Sequence, residues 1–252
     1  FKRAELRFYQ IAQLRFRGFE FGILAKLIPA RIRERYGIVL IKEVDIVIDA
    51  SGFQYTDQWG TNSCLELADS CKRWKKNGTK VILLPQAFGP YKIKSNQKSI
   101  KIVLDHADLV FAREKISYDY LVDLAGERPN LKIAPDFTNL IESVVSENFD
   151  KEVNYFCIIP NYRMVDKTNK KVSESYLPFM IEVTRYAYEK DQKPFILVHE
   201  GINDLMLAKK IRDAVSPSIQ IIKEDHPLKI KGIIGASSGT VGSRFHGLVS
   251  AL

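Results

Sequence analysis

The sequence predicts an α/β fold made of two Rossmann-like lobes, each built on a parallel β-sheet. From residue 44 onward, short apolar runs rich in β-branched residues alternate with amphipathic stretches of helical period. Strands that alternate with helices favour parallel sheets covered by helices. The alternation occurs twice, on either side of the polar, acidic stretch 143–152. We therefore predict a first lobe over residues 1–145, a linker over 146–152 and a second lobe over 153–252.

The first lobe is predicted to contain four strands and three helices. Asn77 and Gly78 are expected to end the first helix, because both residues tolerate the left-handed backbone of a helix end. Pro85 is expected to stop the second strand, since proline has no N–H to donate to a neighbouring strand. The predicted strands cover 44–50, 80–84, 108–112 and 131–134, and the predicted helices cover 62–76, 97–106 and 116–124.

The second lobe repeats the scheme, and its last strand leads into a helix that starts at about Arg244. Asn203 is expected to cap the second helix, because an asparagine side chain accepts hydrogen bonds from free helical N–H groups. The predicted strands cover 155–159, 194–198, 219–223 and 239–242, and the earlier helices cover 176–190, 203–215 and 228–236.

The composition is that of a globular protein, with 46% hydrophobic and 27% charged residues among 252. The odd, low count of three cysteines argues against a disulfide framework. Cys64 and Cys71, seven residues apart, are expected to be buried thiols on one helical face, and no metal site is assigned. The chain does not begin with Met and stops inside the apolar run 248–252, so we expect elements to be missing at both ends.

The net charge of +8 has a local origin, because basic residues interleaved with aromatic residues crowd the stretch 1–36. We expect this stretch to be a packed helix whose basic face is in water. The alternative is a basic amphipathic helix in peripheral contact with an anionic membrane. The sequence contains no nucleic-acid-binding motif, so no nucleic-acid partner is predicted. Non-specific attraction to nucleic acid is the remaining interpretation of the positive charge.

Ligands of parallel sheets bind beyond the carboxyl ends of the strands, and right-handed crossovers bring those ends to one edge. Polar and charged side chains follow the predicted strands throughout this sequence. The arginines among them suit an anionic ligand, through forked hydrogen bonds to a carboxylate or phosphate. The candidates are Gln86, Arg113 and Asp136 in the first lobe, and Asn161, Arg163, His199, Glu200, Ser243, Arg244 and His246 in the second.

Arg244 and His246 are the sharpest candidates, because they lie at the predicted start of a helix that follows a glycine-rich turn. Free N–H groups there favour an anion, and a histidine transfers protons near neutral pH. Alternatively, Arg244 is a surface charge and His246 a hydrogen-bonded core residue. His199 begins a second group with Glu200 and Asp204, in which Asp204 alternatively only caps its helix. The sequence has no P-loop, dinucleotide fingerprint, nucleophile elbow or HExxH motif.

Five short motifs occur in an order that resembles the polysaccharide pyruvyl transferase family, from about Val44 to the end of the chain. Each motif alone has little specificity, whereas five in the same order are fairly specific. The motifs are Leu84-Pro85-Gln86-Ala87-Phe88-Gly89-Pro90, Asp108-Leu109-Val110-Phe111-Ala112-Arg113-Glu114 with Ser117, Ala134-Pro135-Asp136, His199 with Asp204, and Gly242-Ser243-Arg244-Phe245-His246-Gly247.

The resemblance implies a two-lobed, GT-B-like fold and a cytoplasmic transferase of exopolysaccharide or cell-envelope glycan biosynthesis. Such an enzyme moves pyruvate from phosphoenolpyruvate onto two hydroxyls of a glycan or lipid-linked sugar as a cyclic ketal, releases phosphate and needs no further cofactor. The resemblance maps the catalytic residues onto Arg244 and His246 and a donor-binding arginine onto Arg163. With the strand-end analysis, the remaining assignments are Asn161, Ser243 and His199 to the donor, and Gln86, Arg113, Asp136 and Glu200 to the acceptor or to support of the site.

The sequence departs from the family pattern at two turns. The opening Gly-Asn-x-Gly-Asp turn is absent, and the Gly-Gly-Gly turn is replaced by Ala50-Ser51-Gly52. Two other functions are therefore kept as alternatives. One is a nucleotide-sugar glycosyltransferase of the same architecture, and the other is a non-catalytic glycan-binding member of the family.

Overall fold

The structure, a computed structural model, describes residues 10–11, 15–16, 19–144 and 153–251. The chain divides into two compact units, Phe1–Phe137 and Thr138–Leu252. Each unit contains a four-stranded parallel sheet with helices between its strands, so the predicted α/β class is confirmed. The predicted linker, 146–152, lies outside the described residues.

The described part of the basic amino-terminal stretch forms short elements, so the expectation of one amphipathic helix is wrong there. Strand β1 pairs in parallel with β4, and β2 pairs with β3 in antiparallel fashion. Gly37, with φ of 65°, ends the single short α-helix in the left-handed conformation that glycine adopts readily. The elements are β1 (Gln10–Ile11), β2 (Arg15–Phe16), β3 (Phe19–Glu20), a 3-10 helix (Phe21–Leu27), α1 (Ala30–Tyr36), β4 (Ile38–Val39) and a second 3-10 helix (Ile41–Glu43).

The main sheet of the first unit has the strand order β5–β6–β7–β8. These strands are β5 (Ile46–Asp49), β6 (Lys80–Gln86), β7 (Leu109–Ala112) and β8 (Leu131–Ile133), joined by α2 (Asn62–Lys76), α3 (Lys94–His106) and α4 (Lys115–Ala125), with a 3-10 helix at Asp57–Trp59. A further 3-10 helix, Phe137–Leu140, begins at the last residue of this unit. Each helix connects a strand to the next one in the same direction across the sheet. Right-handed connections therefore place the three helices on one face of the sheet. Val81 and Leu83 are fully buried on that face, where they share a core with Cys64 and Cys71. The prediction of two buried thiols is confirmed.

The sheet of the second unit has the strand order β11–β10–β9–β12, so the chain reverses direction across the sheet at β9. The elements are β9 (Tyr155–Ile159), α5 (Arg163–Asp166), α6 (Lys170–Glu189), β10 (Lys193–Val198), α7 (Gly201–Val215), β11 (Gln220–Lys223), α8 (Pro227–Gly235), β12 (Gly239–Gly242) and α9 (Phe245–Val249). One core cluster packs α6 and α7 against one face, and a second packs α8 against the other. Such a reversal leaves a crevice at the carboxyl ends of β9 and β12.

Several predicted element ends differ from the structure. Pro85 does not stop β6, which continues to Gln86 because the pairing with β7 shifts register after Leu83 and so tolerates a residue without an N–H. Asn203 does not cap α7, since that helix begins two residues earlier at Gly201. Helix α6 begins at Lys170, where the Asn169 side chain accepts a hydrogen bond from Val172 N at 3.1 Å.

Residues 138–144 belong to the second unit, whereas the predicted first lobe extended to residue 145. The Lys231 ammonium donates to the carbonyls of Thr138 and Ile141 at 2.8 and 2.6 Å, which attaches this segment to α8. Among the described residues, no helix is both long and apolar enough to cross a membrane.

Strands β9 and β12 approach so closely that a side chain at Gly242 would collide with its neighbour. A Cβ at this position would lie 2.9 Å from Ile159 Cβ and 3.1 Å from Ile159 O. We expect Gly242→Ala to lower the free energy of unfolding by about 1–3 kcal/mol, the usual cost of overpacking. Gly235→Ala is the matched control, because its Cβ would meet only Ser250 O at 4.0 Å. Urea unfolding that ranks the two variants equally would contradict the close packing.

Candidate functional site

The candidate site of the second unit lies at the reversal point, where Asn161 and Ser243 follow β9 and β12. The Asn161 side-chain amide donates to Ser243 O at 3.1 Å. The Asn161 backbone N–H donates to the Tyr176 hydroxyl at 2.9 Å, and that hydroxyl lies 2.9 Å from Ser243 Oγ. Asn161 and Tyr176 are both buried. This network fixes the two strand-end loops to each other and to α6.

The carboxylate of Asp204 ties together three strand-end loops. The residue lies in the first turn of α7 and is 1% exposed. Its Oδ1 accepts a hydrogen bond from Tyr162 N at 2.9 Å, after β9. Its Oδ2 accepts from Glu200 N at 3.2 Å, after β10, and from Arg244 Nε and Nη2 at 3.0 and 2.6 Å, after β12. Asp204 therefore holds the helix start, as the capping interpretation predicts, and also fixes Arg244.

Arg244 is held between two carboxylates of very different exposure. Its side chain is 15% exposed and donates from Nη1 to Glu200 Oε2 at 2.5 Å, opposite the pair with Asp204. The Glu200 side chain is 61% exposed and that of Asp204 is 1% exposed. An exposed ion pair contributes little to stability and is easily exchanged for another partner. Breaking a buried ion pair is strongly destabilising. The interpretation of Arg244 as a surface charge is therefore wrong.

The two candidate histidines lie in different environments. His199, at the end of β10, is half-buried, and burial lowers its pKa below the ordinary value of 6.5, helped by the positive charge of Arg244 and by His246. It is therefore predominantly neutral at neutral pH. His246 lies on α9, where its ring packs edge-on against Phe245 with centroids 5.5 Å apart. His246 is exposed, so its interpretation as a core histidine is wrong.

Arg163 lies on the same loop as Asn161, but its guanidinium makes a local ion pair. Its backbone N–H donates to Asn161 Oδ1 at 3.0 Å, whereas its Nη1 pairs with Asp166 at 2.9 Å on α5. The Arg163 side chain is 58% exposed. Because the guanidinium is paired with Asp166, the assignment of Arg163 to the donor stays a prediction.

The three candidates of the first unit lie together at the carboxyl edge of its sheet. Gln86 is fully buried, and its backbone carbonyl accepts from Arg113 N at 3.1 Å. The Arg113 guanidinium lies 3.6 Å from the buried Asp136 carboxylate and donates to Glu114 at 3.1 Å. The Gln86 carbonyl oxygen, Oε1, has no hydrogen-bond partner among the described residues.

Asp49 is a residue at this edge that the sequence analysis did not single out. Its carboxylate accepts hydrogen bonds from the Gln86 amide at 3.2 Å, the Tyr55 hydroxyl at 2.7 Å, and Ser51 N and Oγ at 3.1 and 3.0 Å. Burial raises the pKa of Tyr55, so the phenol stays protonated and donates. The sequence signal that could have identified Asp49 is an acidic residue at the end of an apolar strand. Asp49 orients the Gln86 side chain.

In the described part of the chain, no group of three or more His, Cys, Asp or Glu side chains is arranged to hold a metal ion. The two edges lie in different units, and each contains acidic and basic groups in direct contact. A cation held by carboxylates, with a neutral histidine beside it, can bind an anion and assist proton transfer.

Comparison with protein families gives a match over almost the whole chain. The family model described as polysaccharide pyruvyl transferase matches residues 3–252. No curated protein sequence matches the chain significantly. One similar solved structure is that of TarM, with 15% identity and a TM-score of 0.39. The matched region covers 65% of this chain and 31% of TarM. A chain of the GtfA/B complex matches at 11% identity and a TM-score of 0.40, over 80% of this chain and 42% of that chain. The chain thus spans less than half of either protein, and TM-scores this low do not establish a shared fold.

Replacing the buried carboxylate tests the role of Asp204 as the anchor of the site. We expect Asp204→Asn to lower the free energy of unfolding by about 3 kcal/mol, because it leaves Arg244 without its buried partner. Asp166→Asn removes the exposed partner of Arg163 and is expected to cost less than about 1 kcal/mol. Urea denaturation of both variants measures the difference. Equal losses would show that Asp204 is not an anchor.

Proposed function

Because the chain belongs to the polysaccharide pyruvyl transferase family, we propose that it transfers pyruvate from phosphoenolpyruvate onto two hydroxyls of a sugar as a cyclic ketal. The methylene carbon of the donor gains a proton and becomes the methyl group. The two hydroxyl oxygens bond to the neighbouring carbon and lose their protons, one in effect to the methylene carbon and one to the departing phosphate. The products are the ketal and inorganic phosphate.

The proposal rests on Arg244. The Asp204 carboxylate orients its guanidinium, and the Glu200 carboxylate pairs with only one of its nitrogens, Nη1. The donor is anionic at both its carboxylate and its phosphate, so either group suits the forked donors of an arginine. We infer that a donor oxygen replaces Glu200 on Nη1, since Glu200 is exposed, whereas the buried Asp204 keeps its bonds to Nε and Nη2. Arg244 is then already in position when the donor binds, which favours catalysis by electrostatic stabilisation.

Glu200 has a second use once the donor has displaced it from Arg244. Its carboxylate would be free beside the site, where it is suited to accept a proton from a sugar hydroxyl. His246, exposed on α9, is assigned as the acid or base that handles the proton of the reaction. The neutral His199 adds a hydrogen bond to the donor without repelling the positive charge of Arg244.

The other assigned residues support the two substrates. Asn161 and Ser243 present polar atoms at the reversal point, and Arg163 would add a second cation to the donor after it leaves Asp166. The acceptor, a glycan or a lipid-linked sugar, is assigned to the edge of the first unit that carries Gln86, Arg113 and Asp136.

The cellular setting belongs to the same proposal. The activity would serve exopolysaccharide or cell-envelope glycan synthesis in the cytoplasm, without a cofactor beyond the donor substrate. Peripheral membrane contact through residues 1–36 stays a prediction, because much of that stretch lies outside the described residues.

Phosphate release and pyruvate transfer by the full-length protein, with phosphoenolpyruvate and a panel of glycans, test the proposal. We expect His246→Ala to reduce transfer by about 10²–10⁴-fold, the usual contribution of a general acid or base. His226→Ala is the control, because His226 is an exposed histidine on a different loop. Full transfer by His246→Ala would remove the assigned role of His246. Release of a nucleotide from a sugar nucleotide, instead of phosphate from phosphoenolpyruvate, would overturn the proposed reaction.

A further inference from the structure

A pocket of about 490 Å³ lies at the amino-terminal edge of the second sheet, at the opposite end of its strands from Arg244. Its walls come from the first residues of β9 and β10, from the end of α6 with the turn that follows, and from the segment before β11. The volume lies within the range of small-molecule sites, about 300–1,000 Å³. The proposed reaction uses none of its residues.

Aromatic rings form one part of the pocket wall. The rings of Tyr155 and Phe195 pack edge to face, with centroids 6.2 Å apart. Tyr188 is 46% exposed, and its hydroxyl accepts a hydrogen bond from Ser216, which also lies 2.8 Å from Ser218. Hydrogen bonds from Ser216 and Ser218 lower the pKa of Tyr188. The exposed tyrosine ring offers an apolar face with a polar edge.

Polar side chains with unused hydrogen-bonding groups form another part of the wall. Asp191, Gln192 and Gln220 make no side-chain hydrogen bonds within the described part of the chain. A carboxylate accepts hydrogen bonds, and a carboxamide both accepts and donates them. The charges of Asp191 and Lys193 offset each other, so the pocket lacks the group of cations typical of phosphate sites. The chemistry suits a neutral ligand with many hydroxyls and apolar faces.

We propose that this pocket binds neutral pyranose units of a glycan, with ring faces against the aromatic residues and hydroxyls on the three polar side chains. From Lys193 to His199 the chain follows β10 for six residues, or about 20 Å at roughly 3.3 Å per residue. A glycan that reaches both the pocket and Arg244 must therefore be several sugar units long. This last step rests on the proposed function, and it makes the acceptor at least an oligosaccharide.

Glycan binding without phosphoenolpyruvate tests the pocket separately from the reaction. The probes are neutral hexasaccharides of glucose, galactose and mannose, titrated into the full-length protein by calorimetry and by saturation-transfer NMR. We expect at least one to bind, and we expect Tyr188→Ala and Asp191→Asn each to weaken its binding about tenfold. Tyr186→Ala is the matched control, because Tyr186 is 63% exposed on the same helix and lies outside the pocket.

The outcomes separate the two proposals. Binding that is weakened by the pocket variants and unchanged by Tyr186→Ala supports the site, whether or not phosphate is released in the transfer assay. Binding of no hexasaccharide, equal binding by wild type and Tyr188→Ala, or preferential binding of uridine monophosphate would overturn it. With an active enzyme, Tyr188→Ala should raise KM for a hexasaccharide acceptor about tenfold and leave KM for a monosaccharide acceptor of the same sugar unchanged.

Discussion

The buried carboxylate of Asp204 is the interaction on which the candidate site of the second unit depends. It accepts hydrogen bonds from the loops after β9, β10 and β12, which are distant in sequence. A carboxylate with 1% exposure is stable only when paired and hydrogen-bonded, and here Arg244 supplies the charge. The same bond that neutralises Asp204 orients the guanidinium. The stability of the site and the orientation of Arg244 for binding an anion therefore depend on the same ion pair.

The strand order gives Asp204 its partners. Because β12 lies beside β9 instead of continuing the series past β11, the last loop of the sheet meets the first one. Gly242 permits this, since a side chain there would press on Ile159. The main sheet of the first unit does not reverse, and its helices lie on one face. Its polar residues, from Asp49 to Asp136, lie along one edge in the order of the strands.

The sequence was sufficient for the main strands and helices from residue 44 onward and for the polar edges of the sheets, but not for the amino-terminal stretch or for the contacts. The strands Tyr155–Ile159 and Gly239–Gly242 have the predicted bounds. The first of them is a continuous apolar run, as expected of a parallel strand whose later residues are buried. Strand ends also identified Arg244, Glu200 and Asn161. The pairing of Arg244 with Asp204 spans 40 residues and depends on the order of the strands in the sheet, which periodicity does not contain. The continuation of β6 through Pro85 likewise depends on its neighbour β7.

If Asp204 holds Arg244 while Glu200 occupies the place of the proposed anionic donor, the affinity for that donor depends on Glu200. Calorimetric titration of phosphoenolpyruvate into the wild type, Glu200→Gln and Arg244→Gln measures this directly. We expect Glu200→Gln to bind the donor about fivefold more tightly, since an exposed ion pair worth up to about 1 kcal/mol no longer competes. We expect Arg244→Gln to lose binding. Weaker or unchanged binding by Glu200→Gln would show that Glu200 does not occupy the donor's place on Arg244.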